Sequence, residues 1–145
     1  MKTCCFFGHR DTGIEIRPAL YAEIVKHITQ YGVGVFYVGG YGNFDDMSVD
    51  ILRELKEKYP YIEIIGVLAY LPGKKEEYKT KLYDNTVFPE GLEFVPRKYA
   101  ISHRNRLIIQ QSDYLISCVR TEYGGAYEAL RYAKRNKKQT INLAL

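Results

Sequence analysis

Three runs of strand-forming residues in this chain each stop at a glycine-bearing loop, and a helical pattern follows each loop. The loops are Gly8-His9-Arg10, Gly39-Gly40-Tyr41-Gly42 and Tyr123-Gly124-Gly125. In a parallel α/β sheet the loops after the strands lie along one edge, where ligands bind, and glycine lets backbone N–H groups approach a phosphate closely. The pattern therefore predicts an α/β domain whose three loops form one site for a phosphorylated ligand.

The composition predicts one soluble globular domain over residues 1–145, with 46% hydrophobic and 26% charged residues. The net charge of +4 suits an anionic partner but does not favour nucleic acid over a phosphorylated small molecule. The three cysteines show no CxxC spacing, and Cys4 and Cys5 lie in an apolar run, so we expect core packing, with no disulfide and no metal. Because no apolar run approaches ~20 residues, we expect a cytoplasmic protein without a membrane partner.

Five predicted strands alternate with helical patterns, at residues 3–7, 33–38, 61–70, 113–119 and 140–143. This alternation predicts a Rossmann-like three-layer sandwich, with a five-stranded parallel sheet in the order 3-2-1-4-5. Residues 71–98 fit neither pattern. Two interpretations of that segment stay open: a functional lid, or a structural excursion with a short helix and a short strand of its own.

The predicted strand order places the first and fourth strands at the switch point of the sheet, so that all three loops meet in one crevice. The chain has neither G-x-G-x-x-G nor G-x-x-x-x-G-K-[ST]. Gly124-Gly125 at the start of a helix can still offer free N–H groups and the positive end of the helix dipole, or can simply form a tight turn.

Side chains near the loops complete the predicted site. His9 and Arg10 can form hydrogen bonds to phosphate or ribose oxygens, and Asp45 is either an N-cap or an acceptor for ribose hydroxyl groups. An aromatic side chain from one of the loops would stack on the base. The predicted ligand-binding residues are Gly8, His9, Arg10, Gly39, Gly40, Tyr41, Gly42, Phe44, Asp45, Arg104, Asn105, Tyr123, Gly124 and Gly125. Those predicted for stacking are Tyr41, Phe44 or Tyr123.

Catalysis would need acid–base residues, and the nearby carboxylates are those of Asp45, Asp46, Glu122 and Glu128. A pair of carboxylates could serve hydrolysis of an N-glycosidic bond. Glu128 and Asp45 are the candidates, and the sequence alone does not place any two of these groups together.

With these residues identified, the chain resembles the SLOG superfamily, a Rossmann-like group that includes the cytokinin-activating phosphoribohydrolases and DNA-processing protein A. It is most similar to a bacterial and phage branch of that group. The opening Cys4-Cys5-Phe6-Phe7-Gly8-His9-Arg10 resembles the branch motif CCFxGHR. The loop Gly39-Gly40-Tyr41-Gly42-Asn43-Phe44-Asp45 resembles GGxxGFD. The pattern continues through Pro96 to Ile101, Arg104-Asn105-Arg106, Ser112-Asp113 and Gly124-Gly125-Ala126.

The resemblance implies a pocket for a nucleotide or an ADP-ribose-like ligand, with no further cofactor, in a sensor or adaptor that forms a homodimer. In the phosphoribohydrolases the last loop is similar to PGGxGTxxE, whose glutamate is catalytic, whereas here Tyr123 replaces the proline and the full motif is absent. Ligand binding is therefore the leading hypothesis. The alternative is a phosphoribohydrolase-type N-glycosidase that acts on a nucleoside monophosphate, and single-stranded nucleic-acid binding is the least favoured interpretation.

Overall fold

The computed structural model describes residues 1–70 and 80–144, which form an α/β fold around a six-stranded sheet with strand order β4-β3-β2-β1-β5-β6. Every neighbouring pair of strands is parallel. The strands are β1 (Lys2–Gly8), β2 (Val33–Val38), β3 (Glu63–Val67), β4 (Asn85–Val87), β5 (Tyr114–Cys118) and β6 (Gln139–Asn142). The α-helices in the described part are α1 (Arg17–Thr29), α2 (Asn43–Lys58), α3 (Arg97–Gln110) and α4 (Gly125–Arg135).

The predicted number of five strands was wrong, because β4 adds a sixth strand at the edge beside β3. The five predicted strands do lie in the predicted order, as β3-β2-β1-β5-β6. A short strand in this segment was one of two open interpretations, but its place in the sheet was not predicted, because it has only three residues and all three are exposed, so it shows neither an apolar run nor an alternating pattern.

The central strand β1 separates two hydrophobic layers. Cys4 and Phe6 face the layer formed with α1 and α2, whereas Cys5 and Phe7 face the layer formed with α3 and α4. Successive residues of a strand point to opposite faces, so a strand buried on both sides is apolar throughout. Both cysteines are free and fully buried, which confirms their prediction as core residues. The result is a three-layer sandwich.

Two helix starts differ from those predicted. Helix α2 begins at Asn43 after Gly42, which is its N-cap, so the N-cap prediction for Asp45 was wrong. The residues before the predicted strand at 113–119 indicate a helix that opens at Ser102 or nearby and runs to about Gln111, whereas helix α3 begins at Arg97. Its first residues are largely exposed and charged, so the apolar periodicity that predicted the helix appears only after its first turn.

Part of the segment 71–98 lies outside the described residues, including most of the charged stretch 74–81, which is where a short helix of the excursion would fall. The described part contains β4 and a 3-10 turn at Leu92–Phe94, as expected for a structural excursion. Within the described ranges, no helix combines the length and the apolar character needed to cross a bilayer.

Candidate functional site

A cavity of about 310 Å³ lies at the carboxyl ends of the central strands. β1 pairs with β2 on one side and with β5 on the other. The strands β3 and β4, which follow β2 along the chain, are added on the β2 side of β1, and those from β5 onward are added on the other side. This is the switch point at which open α/β sheets bind ligands. Of the predicted site residues, the lining contains Gly8, His9, Arg10, Gly39, Tyr41, Asp45, Arg104, Asn105 and Gly125. The other lining residues are Phe6, Phe7, Ile101 and Ala126, which lie within the motifs of the resemblance but were not among the predicted ligand-binding residues.

Hydrogen bonds connect the loop after β1 to both neighbouring loops. The backbone N–H of Asn43, at the start of α2, donates to the carbonyl oxygen of Arg10 at 2.9 Å. The backbone N–H of Arg120, after β5, donates to Nε2 of His9 at 2.9 Å. Since Nε2 accepts this bond, the ring proton of neutral His9 is on Nδ1. His9 therefore connects two loops of the site instead of presenting both nitrogens to a ligand.

Two glycines are explained by close packing around this junction. A Cβ atom on Gly8 would overlap the ring of Phe44, and Gly42 has φ +93° with an added Cβ only 2.5 Å from the Arg10 Cα. Phe44 has no exposed surface and packs against Phe6 in the core. Base stacking on Phe44 is therefore ruled out, and its ring instead supports the loop after β1.

Arg104 is a buried structural cation. Its side chain donates from Nη1 to the carbonyl oxygens of Gly39 at 2.8 Å and Val67 at 3.1 Å. Nε and Nη2 donate to the Asn105 Oδ1, at 3.1 and 2.8 Å. Burial lowers the pKa of Arg104 from its ordinary value, although the nearby Asp45 carboxylate acts in the opposite direction. Four of the five guanidinium N–H groups are thus bound within the protein, so Arg104 can give a ligand one donor at most.

Unlike Arg104, Arg10 has a side chain that is neither buried nor held by hydrogen bonds within the described part of the protein. Its side chain is exposed at the edge of the cavity and forms no hydrogen bond or ion pair with the described residues. Its backbone is nevertheless held in place by the bond from Asn43. A cation with a fixed backbone and unused donors is the arrangement that binds a phosphate by charge-assisted hydrogen bonds.

The N-terminus of α4 opens onto the same cavity. Gly124 is its N-cap, with φ +94°, and no side chain caps the first N–H groups. Gly125 and Gly124 have no heavy atom within 4 Å of an added Cβ atom. The fold therefore imposes no steric need for glycine at Gly125, whose φ is not in the left-handed region. An uncapped helix N-terminus of this kind attracts an anion through its free N–H groups and its dipole.

The N-terminus of α2 has a different environment, because acidic residues occupy its first turn. Asp45 is only 7% exposed, and its Oδ2 accepts a hydrogen bond from the backbone N–H of Tyr41 at 2.8 Å. Asp46 lies beside it in the same turn. Carboxylates at a helix N-terminus are favourable for the dipole and repel a second anion. A phosphate is accordingly expected at α4 and not at α2.

Several predicted residues do not line this cavity. Gly40, Gly42 and Gly124 are absent from its lining and adopt positive φ in the loops, and Tyr123 is 74% exposed. Glu128 lines a neighbouring groove between α3 and α4, separate from the Asp45 carboxylate in the cavity. No three His, Cys, Asp or Glu side chains in residues 1–70 and 80–144 are grouped so that they could hold a metal ion.

Tyr83 is a neighbour of the site that the sequence analysis missed. Its ring covers Gly66 at the end of β3, and its hydroxyl lies 2.8 Å from the position of an added Cβ on Gly40. Burial, together with the negative charges of Asp45 and Asp46, raises the pKa of Tyr83 to about 12, so its hydroxyl keeps its proton. No sequence signal distinguishes Tyr83 from the other tyrosines, because only the folded excursion brings it here.

The fold and the crevice define this chain as a Rossmann-like α/β protein, which is the fold that the resemblance implied. The chain is similar to DNA processing protein A from Streptococcus pneumoniae, with a TM-score of 0.73 and 13% identity over 97% of this chain and 49% of that chain. DNA processing protein A from Helicobacter pylori gives a TM-score of 0.67 and 18% identity over 96% of this chain and 63% of that chain.

A third similar structure is the molybdenum cofactor carrier protein from Chlamydomonas reinhardtii, with a TM-score of 0.61 and 16% identity over 96% of this chain and 73% of that chain. The Helicobacter structure is described as revealing a single-stranded DNA binding mode. The chain spans about half to two-thirds of the length of the two DNA processing proteins. No protein-family model and no curated protein gives a significant match to this chain.

Proposed function

We propose that the cavity binds a nucleotide, with its phosphate at the N-terminus of α4 and beside Arg10. The observation that carries this proposal is Gly125, a glycine that the fold does not need, placed where backbone N–H groups open onto the cavity. Glycine at such a position lets a phosphate approach the backbone closely. In a sensor or adaptor, this binding would report the presence of the ligand.

The rest of the cavity suits a nucleoside. Tyr41 is half-buried in the lining, and the Arg104 guanidinium lies 5.2 Å from the centre of its ring. An aromatic ring in the lining suits stacking with a base. The Asp45 carboxylate lines the cavity, and a carboxylate is an acceptor of the kind that suits ribose hydroxyl groups. A volume of about 310 Å³ lies at the lower end of ligand pockets, which span about 300–1,000 Å³.

Thermal unfolding with a panel of nucleotides tests the proposal. A nucleotide at about 100 times its Kd should stabilise the protein by about 2.7 kcal/mol. Arg10→Ala should lose this stabilisation, while Lys134→Ala at the far end of α4 should keep it. If no mono- or dinucleotide raises the melting temperature of the wild-type protein, nucleotide binding is refuted.

A second candidate function is hydrolysis of an N-glycosidic bond. It is favoured by Asp45, a buried carboxylate in the cavity itself, where it could serve as the acid–base residue. This function predicts release of free base from a nucleoside monophosphate and its loss in Asp45→Asn. Absence of base release at high protein concentration would leave binding without turnover.

A further inference from the structure

A second cavity of about 310 Å³ adjoins the first, in the groove between α3 and α4. The two cavities share Ile101, Asn105 and Gly125. Gly125 has no side chain to separate them, and an added Cβ there would meet no other atom within 4 Å. A ligand bound in the first cavity can therefore extend past Gly125 into the groove.

Asn105 places two hydrogen-bond donors at this passage. Its Oδ1 must face Arg104, because a guanidinium has only donors, and it accepts bonds from Nε and Nη2. The Nδ2 amide group is thereby directed away from Arg104, and it forms no hydrogen bond with the described residues although Asn105 is only 9% exposed. No side-chain nitrogen or oxygen closed off from solvent lacks a partner in the described residues, so this amide group is accessible from the cavities, where a ligand can meet its donors. The passage thus suits a group rich in acceptor oxygens.

The groove beyond the passage is lined by the cations of Lys98 and Arg106, by the Tyr132 ring and by the Glu128 carboxylate. The Arg135 guanidinium lies 5.9 Å from the centre of the Tyr132 ring. Lys98 and Arg106 are exposed and form no ion pair with a described carboxylate. The Arg106 guanidinium lies 5.6 Å from the centre of the Tyr132 ring, and the Tyr132 hydroxyl accepts a bond from Gln110 at 2.8 Å that fixes the ring. A ring held in place beside unpaired cations can receive a base and a phosphate together.

We infer that the ligand is a dinucleotide: one nucleoside unit lies in the first cavity, the linking phosphate lies at Asn105 and Gly125, and the second unit lies along Arg106 and Tyr132. This inference rests on the proposed function and assigns the size of its ligand. Each cavity alone has room for about one small unit, at the lower limit of about 300 Å³ for ligand pockets.

Titration of AMP and of the dinucleotide pApA by isothermal calorimetry tests this inference. The dinucleotide should bind at least about tenfold more tightly than AMP, as one additional charge-assisted hydrogen bond would provide. Arg106→Glu should remove this gain and leave the affinity for AMP unchanged. The matched control is Arg131→Glu. Like Arg106, Arg131 lies close to a tyrosine ring, 5.7 Å from the centre of the Tyr127 ring, but it lines neither cavity.

The possible outcomes separate this inference from the proposed function. If AMP binds and pApA binds no more tightly, or if Arg106→Glu weakens both equally, the two-cavity ligand is refuted while nucleotide binding stands. If neither binds, both are refuted. A third titration uses a single strand of twenty dA nucleotides. If this strand binds far more tightly than pApA and its affinity depends steeply on salt, the ligand is a nucleic-acid strand and the inference of a free dinucleotide is refuted.

Discussion

Replacing Gly125 by alanine would test the phosphate site while leaving the fold intact. Gly125 is the first residue of α4, its φ is not in the left-handed region, and an added Cβ meets no atom within 4 Å. The substitution restricts the unfolded chain without straining the native one. We therefore expect a gain of about 0.4–1 kcal/mol in the free energy of unfolding, which is about 1–4 °C in melting temperature.

The same methyl group would stand between the first N–H groups of α4 and a bound phosphate. If it weakens the affinity for AMP by about tenfold, a concentration of about 100 times the wild-type Kd stabilises the variant by only about 1.4 kcal/mol instead of about 2.7 kcal/mol. Thermal unfolding with and without AMP measures both effects in one experiment. Without AMP, the melting temperature of the variant should be higher than that of the wild type. With AMP, the variant should gain about half as much stability as the wild type.

Gly32→Ala is the matched control, because Gly32 also has open space around an added Cβ but adopts φ +72° and lies outside the cavity. It should lower stability through backbone strain and keep the full AMP shift. The argument for the phosphate site fails if Gly125→Ala lowers the melting temperature in the absence of ligand. It fails equally if the variant keeps the wild-type shift.

Further substitutions test the other parts of the site and the fold. Arg10→Ala should abolish the AMP shift and change the free energy of unfolding by less than about 0.5 kcal/mol. Arg104→Met should lower the free energy of unfolding in urea by more than about 2 kcal/mol, because buried oxygens lose their donors. Equal stability of the two variants would contradict these roles. Gly8→Ala should cost about 1–3 kcal/mol because its Cβ would overlap the Phe44 ring, and a neutral result in the same assay would exclude that contact. Burial lowers the pKa of His27 from 6.5, so the unfolded chain binds more protons below that value, and stability should fall as the pH drops from about 6.5 toward the folded pKa. Melting temperatures of the wild type and of His27→Phe between pH 8 and 5 measure this difference, and parallel curves would refute it.

The sheet was largely predictable because its strands carry strong local signals. Residues 4–7 are apolar without interruption, as a strand covered on both faces requires, and the glycines at 8 and 39 mark where the strands end. The edge strand β4 was not predictable because its pairing with β3 depends on backbone hydrogen bonds and not on buried side chains. Short exposed strands have no composition that separates them from loops.

The location of the cavity was predictable from the sequence, but the contacts of its lining residues were not. The strand order alone brings the loops at Gly8, Gly39 and Gly125 to one crevice. The structural role of Arg104 depends on carbonyl oxygens that lie 65 and 37 residues away along the chain, at Gly39 and Val67. No local pattern in a sequence reports such contacts. Cellular location and oligomeric state stay predictions.

The bonds from Asn43 to Arg10 and from Arg120 to His9 mean that the loops around the cavity hold one another in place. Loops that are ordered only when a ligand arrives lose conformational freedom at that moment, which reduces affinity by about 0.5–1.5 kcal/mol for each side chain immobilised. Here most of that entropy is already lost when the chain folds. Association should then be limited by encounter and not by rearrangement, so that nucleotides which differ in affinity would differ mainly in how slowly they leave.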